Sequence, residues 1–522
     1  MPSEGSRRPA VTSADAAVAS IPVGATVALT GAGGGILEPE ALLAALEARF
    51  LDSGAPRDLT VVYALGMGDR NGGGTGRFAH AGMVSRVIGG LWTWSPELRE
   101  LARRDELEAY ALPGGVISQL FREIGARRPG LITTVGLGTF ADPRHGGGRF
   151  NTRGAAELVE LVEFDGQEYL RYKPFRVDVA LVRGDTMDRN GNIGWSGEAA
   201  RLDATSVAQA ARASGGLVIA QVKTIIDGVL DPHVVHLPAA MVDLVVEVPL
   251  QWQTHAAEYD GRLCRAGLSA PDPIAEPEPA PAGARGIIAR RAAAEVGSGG
   301  VLNVGFGIPS LVIDALAATG RAGDNTVLIE QGIIGGRPLT GDMFGAAVHP
   351  EVVQSSTTQF DLINGGLIDT TCLGMAQIDA SGSVNVSRIA GEVNGPGGFV
   401  EISQSADTVI FCGTFTTGGL DVDVVAGRLC IRREGRVRKF VRAVEQVTFS
   451  GPRATTRGQR VFVVTERAVF RLVDGSLELV EVAPGIDIDR DILSHMDFVP
   501  LIDSPARMDP ALLESIAACA VS

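Results

Sequence analysis

Glu330 sits where a charge is costly. It interrupts VLIEQGIIGG (residues 327–336), in which branched aliphatic residues flank the charge and two glycines close the run. The pattern reads as a buried strand that ends in a glycine turn. A carboxylate there costs free energy unless a cation pairs with it or a reaction uses it. The residues leave two readings open: a structural ion pair, with Arg337 for example, or a nucleophile. A carboxylate nucleophile attacks an activated acyl carbonyl and forms an anhydride. The charge that develops on the carbonyl oxygen then needs N–H donors, which a glycine turn can supply.

Other constellations carry less chemistry. GAGGGI (31–36) and GFGIPS (305–310) both break G-x-G-x-x-G at its last place, and no G-x-x-x-x-G-K-[ST] occurs. Lysine stands only at 173, 223 and 439, so a Schiff-base lysine has few candidates. Of seven histidines only His233 and His236 are close neighbours. On a strand that spacing puts them on opposite faces, with no third ligand nearby, so no metal site is expected. IRREGRVRKFVR (431–442) is a dense basic run in a chain of formal net charge −15. It reads either as a solvated strand edge or as a site for a phosphorylated ligand.

The elements that must position Glu330 recur along the chain. VGATVALT is followed by glycines 31–35 and the helical EPEALLAALEARF; GGVLNV is followed by GFGIP and the helical SLVIDALAAT. Strand, glycine turn and helix make the βα unit of a parallel sheet. A second echo pairs VALVRGDTMDRNGNIGW (179–195) with TCLGMAQIDASGSVNVS (371–387), each reading strand, polar turn, strand. Between the halves lies APDPIAEPEPAPAG (270–283), whose alternating prolines favour a solvated linker. The expected fold is therefore α/β: two related open α/β domains with mainly parallel sheets and the active site between them. The expected boundaries are 1–269, a linker at 270–284, and 285–522.

Composition narrows the function classes. The acidic balance argues against nucleic acid as a partner. No apolar run reaches the ~18 residues that a membrane helix needs, and no apolar segment follows Arg7 and Arg8 to make a signal peptide. Five cysteines without a C-x-x-C pair point to a reducing compartment, the cytoplasm.

Many separate stretches in order resemble one family. RVIGGLW (86–92), TTVGLGTFADPR (133–144), ELVEFDGQEYL (160–170), LNVGFGIP (302–309), EQGIIGGRP (330–338), FCGTFTTGGL (411–420), TERAVFRL (465–472) and EVAPGIDIDRDIL (481–493) resemble family I coenzyme A-transferases. The likeness is to the acetate/propionate type, with both halves fused in one chain. It implies that Glu330, followed by Gly332, is the nucleophile of an E-x-G motif. The Glu would pass through a mixed anhydride to a glutamyl-CoA thioester by ping-pong catalysis. It implies Gly397 as backbone oxyanion donor with Gly398 adjacent, and contacts to CoA or substrate at Gly33, Gly34, Asn303, Gly305, Gly307, Gly332, Gly335, Gly418 and Gly419. It implies acyl-CoA and a free carboxylic acid (acetate, propionate or a 3-oxo acid) as substrates, no metal or other cofactor, and a homodimer or homotetramer. One departure stands out. The family's P-Q-G reads LPGG here, so Gly114 replaces the Gln whose amide serves the reacting oxygen. That prompts one alternative, a CoA-binding protein with reduced turnover; a second is an acyl-CoA hydrolase on the same scaffold, in which water intercepts the intermediate.

Overall fold

In the computed structural model, residues 8–266 and 281–514 are described. Most of the proline-rich linker at 270–284 lies outside them. The chain forms two compact units: residues 1–267, 329–361 and 390–398 make the first, and 268–328, 362–389 and 399–522 the second. Neither is continuous in sequence. Glu330, Gly114, Gly397 and Gly398 all fall in the first unit.

The first unit is built on an eight-stranded sheet. From one edge the strands are Ala10–Val11, Leu244–Glu247, Leu217–Val222, Val179–Arg183, Thr26–Leu29, Leu59–Tyr63, Val84–Gly89 and Glu108–Ala111. Every pairing is parallel. These strands are short and rich in Val, Ile, Leu and Ala because a parallel sheet is covered on both faces. Val179–Arg183, for example, is buried at all five positions. Parallel pairing also brings the carboxyl ends of the strands to one edge, where open α/β sheets bind ligands. The loops at that edge are the glycine turn 31–35, residues 64–68, Gly90–Ser95 and Leu112–Gly114. They pack so closely that a methyl group on Gly90 would lie 1.8 Å from Ala64 O.

The expected helix after the first glycine turn spans Glu40–Ser53 and stops at Gly54. That residue adopts φ 69°, a left-handed conformation open to glycine, and its N–H donates to Phe50 O at 2.7 Å.

The second unit holds a mixed sheet with neighbouring strands Thr326–Ile329, Val301–Val304, Thr370–Gly374, Thr408–Cys412, Arg460–Val464, Ala468–Val473, Ser476–Val482 and Leu501–Arg507. The first five are mutually parallel. The helix Ala284–Glu295 packs its Ile287, Ile288 and Ala292 into a core with Leu302, Cys372 and Ile410. A wholly buried ion pair lies in this unit. Arg467 contacts Glu466 at 2.7 Å and also Glu434 at 2.7 Å, and its guanidinium stacks 4.8 Å from the Phe415 ring centre.

The echo read from sequence is structural. Thr186–Met187 pairs antiparallel with Ile193–Gly194, and Gln377–Ile378 pairs antiparallel with Val384–Asn385. Both turns are closed by an aspartate. Asp188 Oδ1 accepts from the N–H groups of Asn190 and Asn192, and Asp379 Oδ1 from those of Ser381 and Ser383. A short polar side chain that hydrogen-bonds the backbone ahead of it is a common way to close such a turn.

Candidate active site around Glu330

Glu330 follows the strand Thr326–Ile329, whose last three residues are buried. The chain on either side of it is clamped by a side chain that the pattern did not single out. Gln359 is fully buried, and its Nε2 donates to Ile329 O at 3.0 Å and to Ile333 O at 3.1 Å. Gln354 Nε2 donates to Gln359 Oε1 at 2.5 Å and fixes that amide in turn. Gly332 closes the bend, with φ 101° and its N–H on Ile329 O at 3.1 Å. A methyl group there would lie 2.1 Å from Gln354 O, so only glycine fits.

The Glu330 carboxylate accepts the Gly398 backbone N–H, and Gln331 Nε2 donates to its Oε1 at 3.4 Å. Among the described residues no cation pairs with it, so the ion pair with Arg337 does not form. The residue as a whole keeps partial exposure, but its carboxyl is enclosed closely enough for desolvation to push it up to about 7. The two hydrogen bonds oppose that rise without cancelling it. Its protonation therefore changes near neutral pH and not in the ordinary carboxylate range.

Gly398 has no space for a side chain, since a Cβ would fall 1.9 Å from Glu330 Oε2. The turn that presents it is pinned by backbone hydrogen bonds. Gly397 N–H donates to Gly90 O at 2.8 Å, Gly114 N–H to Gly397 O at 2.7 Å, and Trp92 N–H to Asn394 O at 2.8 Å. The N–H groups of Gly397 and Gly114 are thus engaged within the protein, and the backbone donor on the Glu330 carboxylate is Gly398. Gly114 begins the helix Gly114–Gly125, and its Cβ direction is closed by Ala64 O at 2.8 Å and Gly397 O at 3.1 Å.

The remaining expected contacts separate into two groups. In the first unit, Gly33 and Gly34 lie in the turn after Thr26–Leu29, and Gly335 lies beyond Ile333–Ile334. In the second, Asn303 is buried and occupied: its Nδ2 donates to Leu328 O at 3.0 Å and its Oδ1 accepts from Thr371 Oγ1 at 2.9 Å, tying three strands together. Gly305 N–H donates to Cys372 O at 2.8 Å, while Gly307 faces open space beside the exposed Phe306.

Gly418 and Gly419 line a broad cavity of about 1090 Å³ in this unit, together with Ile308, Thr417, Arg285 and Lys439. Burial holds the Lys439 amine below its ordinary value, and its Nζ donates to Met375 O at 3.3 Å. Part of the basic run lies on the strand Arg428–Arg433, where Arg432 and Arg433 are exposed as the solvated reading expects. Arg433 Nε donates to Gly419 O at 2.7 Å and Arg436 Nε to Gly418 O at 3.1 Å, so two arginines brace the glycine turn.

Among the described residues no three His, Cys, Asp or Glu side chains gather as a metal site. Likewise no helix there is long and apolar enough to cross a membrane.

Comparison with known proteins decides the family. The Coenzyme A transferase family model matches residues 11–248 and 286–414. This chain belongs to the coenzyme A-transferases. It is 39% identical over 499 residues to acetate CoA-transferase YdiF of Escherichia coli strain K12, covering 95% of this chain and 94% of the relative. It is 41% identical over 514 residues to the caffeate CoA-transferase of Acetobacterium woodii, covering 96% of each. The solved structure of acyl-CoA transferase YdiF from Escherichia coli O157:H7, a thioester complex with CoA, superposes with a TM-score of 0.91 at 38% identity. That match covers 97% of this chain and 96% of the other. This coenzyme A-transferase is an α/β enzyme that acts on acyl-CoA and acid small molecules.

Proposed function

We propose that the enzyme moves CoA from a short-chain acyl-CoA to a free carboxylic acid through a covalent glutamyl-CoA thioester on Glu330. The observation that carries this reading is a carboxylate with no cation partner among the described residues, held against the Gly398 N–H beside a sheet's carboxyl edge. A Glu330 oxygen attacks the thioester carbonyl, and the C–S bond breaks to expel CoA as thiolate and leave a mixed acyl-glutamyl anhydride. The thiolate then attacks the glutamyl carbonyl, which releases the first acid as carboxylate and leaves the thioester on Glu330. A second carboxylate reverses these steps. Atoms and charge balance at each step without electron transfer, so the reading calls for no cofactor besides CoA as substrate.

Enclosure of the carboxyl suits this chemistry. A poorly hydrated carboxylate is a better nucleophile, and an anhydride shielded from water survives until the thiolate returns. Acetate, named for one relative, is the first acceptor to test, and caffeate, named for another, is the bulky acid to compare with it.

The test incubates the enzyme with acetyl-CoA, traps the intermediate with borohydride and maps the modified residue by mass spectrometry. A reducible adduct on Glu330, absent from Glu330→Ala, supports the reading, and full transfer by the variant overturns it. Free thiol released equally with and without an acceptor acid assigns hydrolysis instead.

A further inference from the structure

We infer that Leu91 and Trp94 form the wall that limits the acyl group, with Trp94 as the stop that restricts this enzyme to short acyl chains. The inference rests on Glu330 as the attacked-carbonyl partner. An acyl carbonyl within reach of Glu330 must lie beside the turn that presents Gly398, and its substituent must run into space that the protein leaves open there. Beside Gly398 itself that space is closed, because its Cβ direction meets Glu330 and, at 3.1 Å, Phe360 Cε1. Beside Gly114 it is closed by backbone. Beside Gly397 there is room for a methyl-sized group, which would touch Leu91 Cβ and Cδ2, both at 3.9 Å, an ordinary contact distance.

Leu91 is half-buried although the loop around it is pinned at Gly90 and Trp92, so it presents an apolar face to that slot. Behind Leu91 stands Trp94. A Cβ on Gly66 would meet Trp94 Cδ1 at 2.6 Å and Leu91 Cδ2 at 3.0 Å, and a Cβ on Gly33 would meet the indole's Cε2 and Cζ2 at 2.4 Å. The indole is thus wedged between two strand-end loops, each of which has glycine where it touches. Trp94 is 8% exposed, and the Arg70 guanidinium covers its ring at 4.1 Å. A ring held on both sides does not move aside for a longer chain, whereas a flexible side chain would. Apolar Leu91 and a fixed indole select a short, uncharged acyl substituent.

The test compares kcat/KM for hexanoyl-CoA and acetyl-CoA, with acetate as acceptor, in wild type, Trp94→Ala and Trp94→Phe. One methylene in an apolar pocket is worth about 10–200-fold, so Trp94→Ala is expected to raise the hexanoyl-to-acetyl ratio at least about tenfold. Trp94→Phe keeps a ring between the glycine loops and is expected to move the ratio part of the way, which keeps the inference testable if Trp94→Ala does not fold. A ratio within about twofold of wild type in a folded variant overturns it. Trapping the Glu330 adduct from acetyl-CoA in the same samples separates the two claims. An adduct with an unchanged ratio removes only the role of Trp94, and no adduct in wild type removes the mechanism beneath it.

Discussion

Gly398 faces the Glu330 carboxylate so closely that a methyl group on its Cα would lie 1.9 Å from Oε2. The glycine is required by this approach and not by its backbone, which does not adopt a left-handed φ. Gly398→Ala is therefore expected to fold and to displace the carboxylate from its N–H donor. When the thiolate attacks the glutamyl carbonyl, that N–H faces the oxygen on which charge develops, and loss of such a donor costs on the order of 10²–10³ in rate. Measuring kcat/KM together with the thermal midpoint checks this, and near-normal turnover would count against Gly398 as the donor.

The pH dependence has a definite sign. Burial pushes Glu330 up to about 7, and only its ionised form attacks. Release of the free acid in the first half-reaction is expected to rise with slope one, as log rate against pH, as pH approaches 7 from below, then to level off. Rapid-quench measurement of acetate released from acetyl-CoA between about pH 5 and 9 reads this directly. A rate flat across that range would show that Glu330 ionises as an ordinary exposed carboxylate.

Glu38 gives a stability test. It is 1% exposed, its Oε1 accepts from Gly68 N–H at 2.7 Å, and its Oε2 has no hydrogen-bond partner. Desolvation pushes it up to about 8 from 4.5. The folded state thus holds this proton more tightly than the unfolded chain does. Its contribution is fully present below pH 4.5 and is lost as pH rises through 8, by an amount on the order of a few kcal/mol. Glu38→Gln keeps an acceptor for Gly68 and cannot ionise. Its thermal midpoint is expected to exceed wild type at about pH 9 and to converge with it near pH 5.

Restoring the side chain at 114 is not expected to restore faster turnover. The Cβ direction of Gly114 meets Ala64 O at 2.8 Å and Gly397 O at 3.1 Å, and its N–H is donated to Gly397 O. A side chain there forces backbone apart, which costs about 1–3 kcal/mol. Denaturant unfolding and acetyl-CoA turnover of Gly114→Gln are the measurements. A stable, faster variant would show that the turn yields at low cost.

Arg467 is the structural counterpart. Its buried charge is matched by Glu466 and Glu434, and Glu466 Oε2 also accepts from Phe415 N–H at 2.9 Å. Arg467→Met leaves two carboxylates without their cation and is expected to destabilise by about 3–5 kcal/mol. Denaturant unfolding reads this loss, and a change below about 1 kcal/mol would mean that the carboxylates find other partners.

Much of this protein is legible as local pattern. An apolar run with one charge and a closing glycine marks Glu330, strand–glycine–helix repeats mark the α/β class, and the echo between 179–195 and 371–387 marks matching polar turns, because strands, turns and caps are set by residues a few positions apart. The fate of each functional group is not local. Whether Glu330 meets an arginine or the Gly398 N–H, and whether the Gly397 N–H is free or given to Gly90, depends on which loops arrive together. So do Gln359 reaching back to Ile329 and Ile333, and Trp94 filling the space between Gly33 and Gly66. By itself the sequence determined which residues are suited to the chemistry and the elements that carry them. Only the tertiary structure decided their partners, their proton affinity and the room beside them, because parallel pairing brings the ends of strands distant in sequence to one edge, and desolvation acts only once they are there.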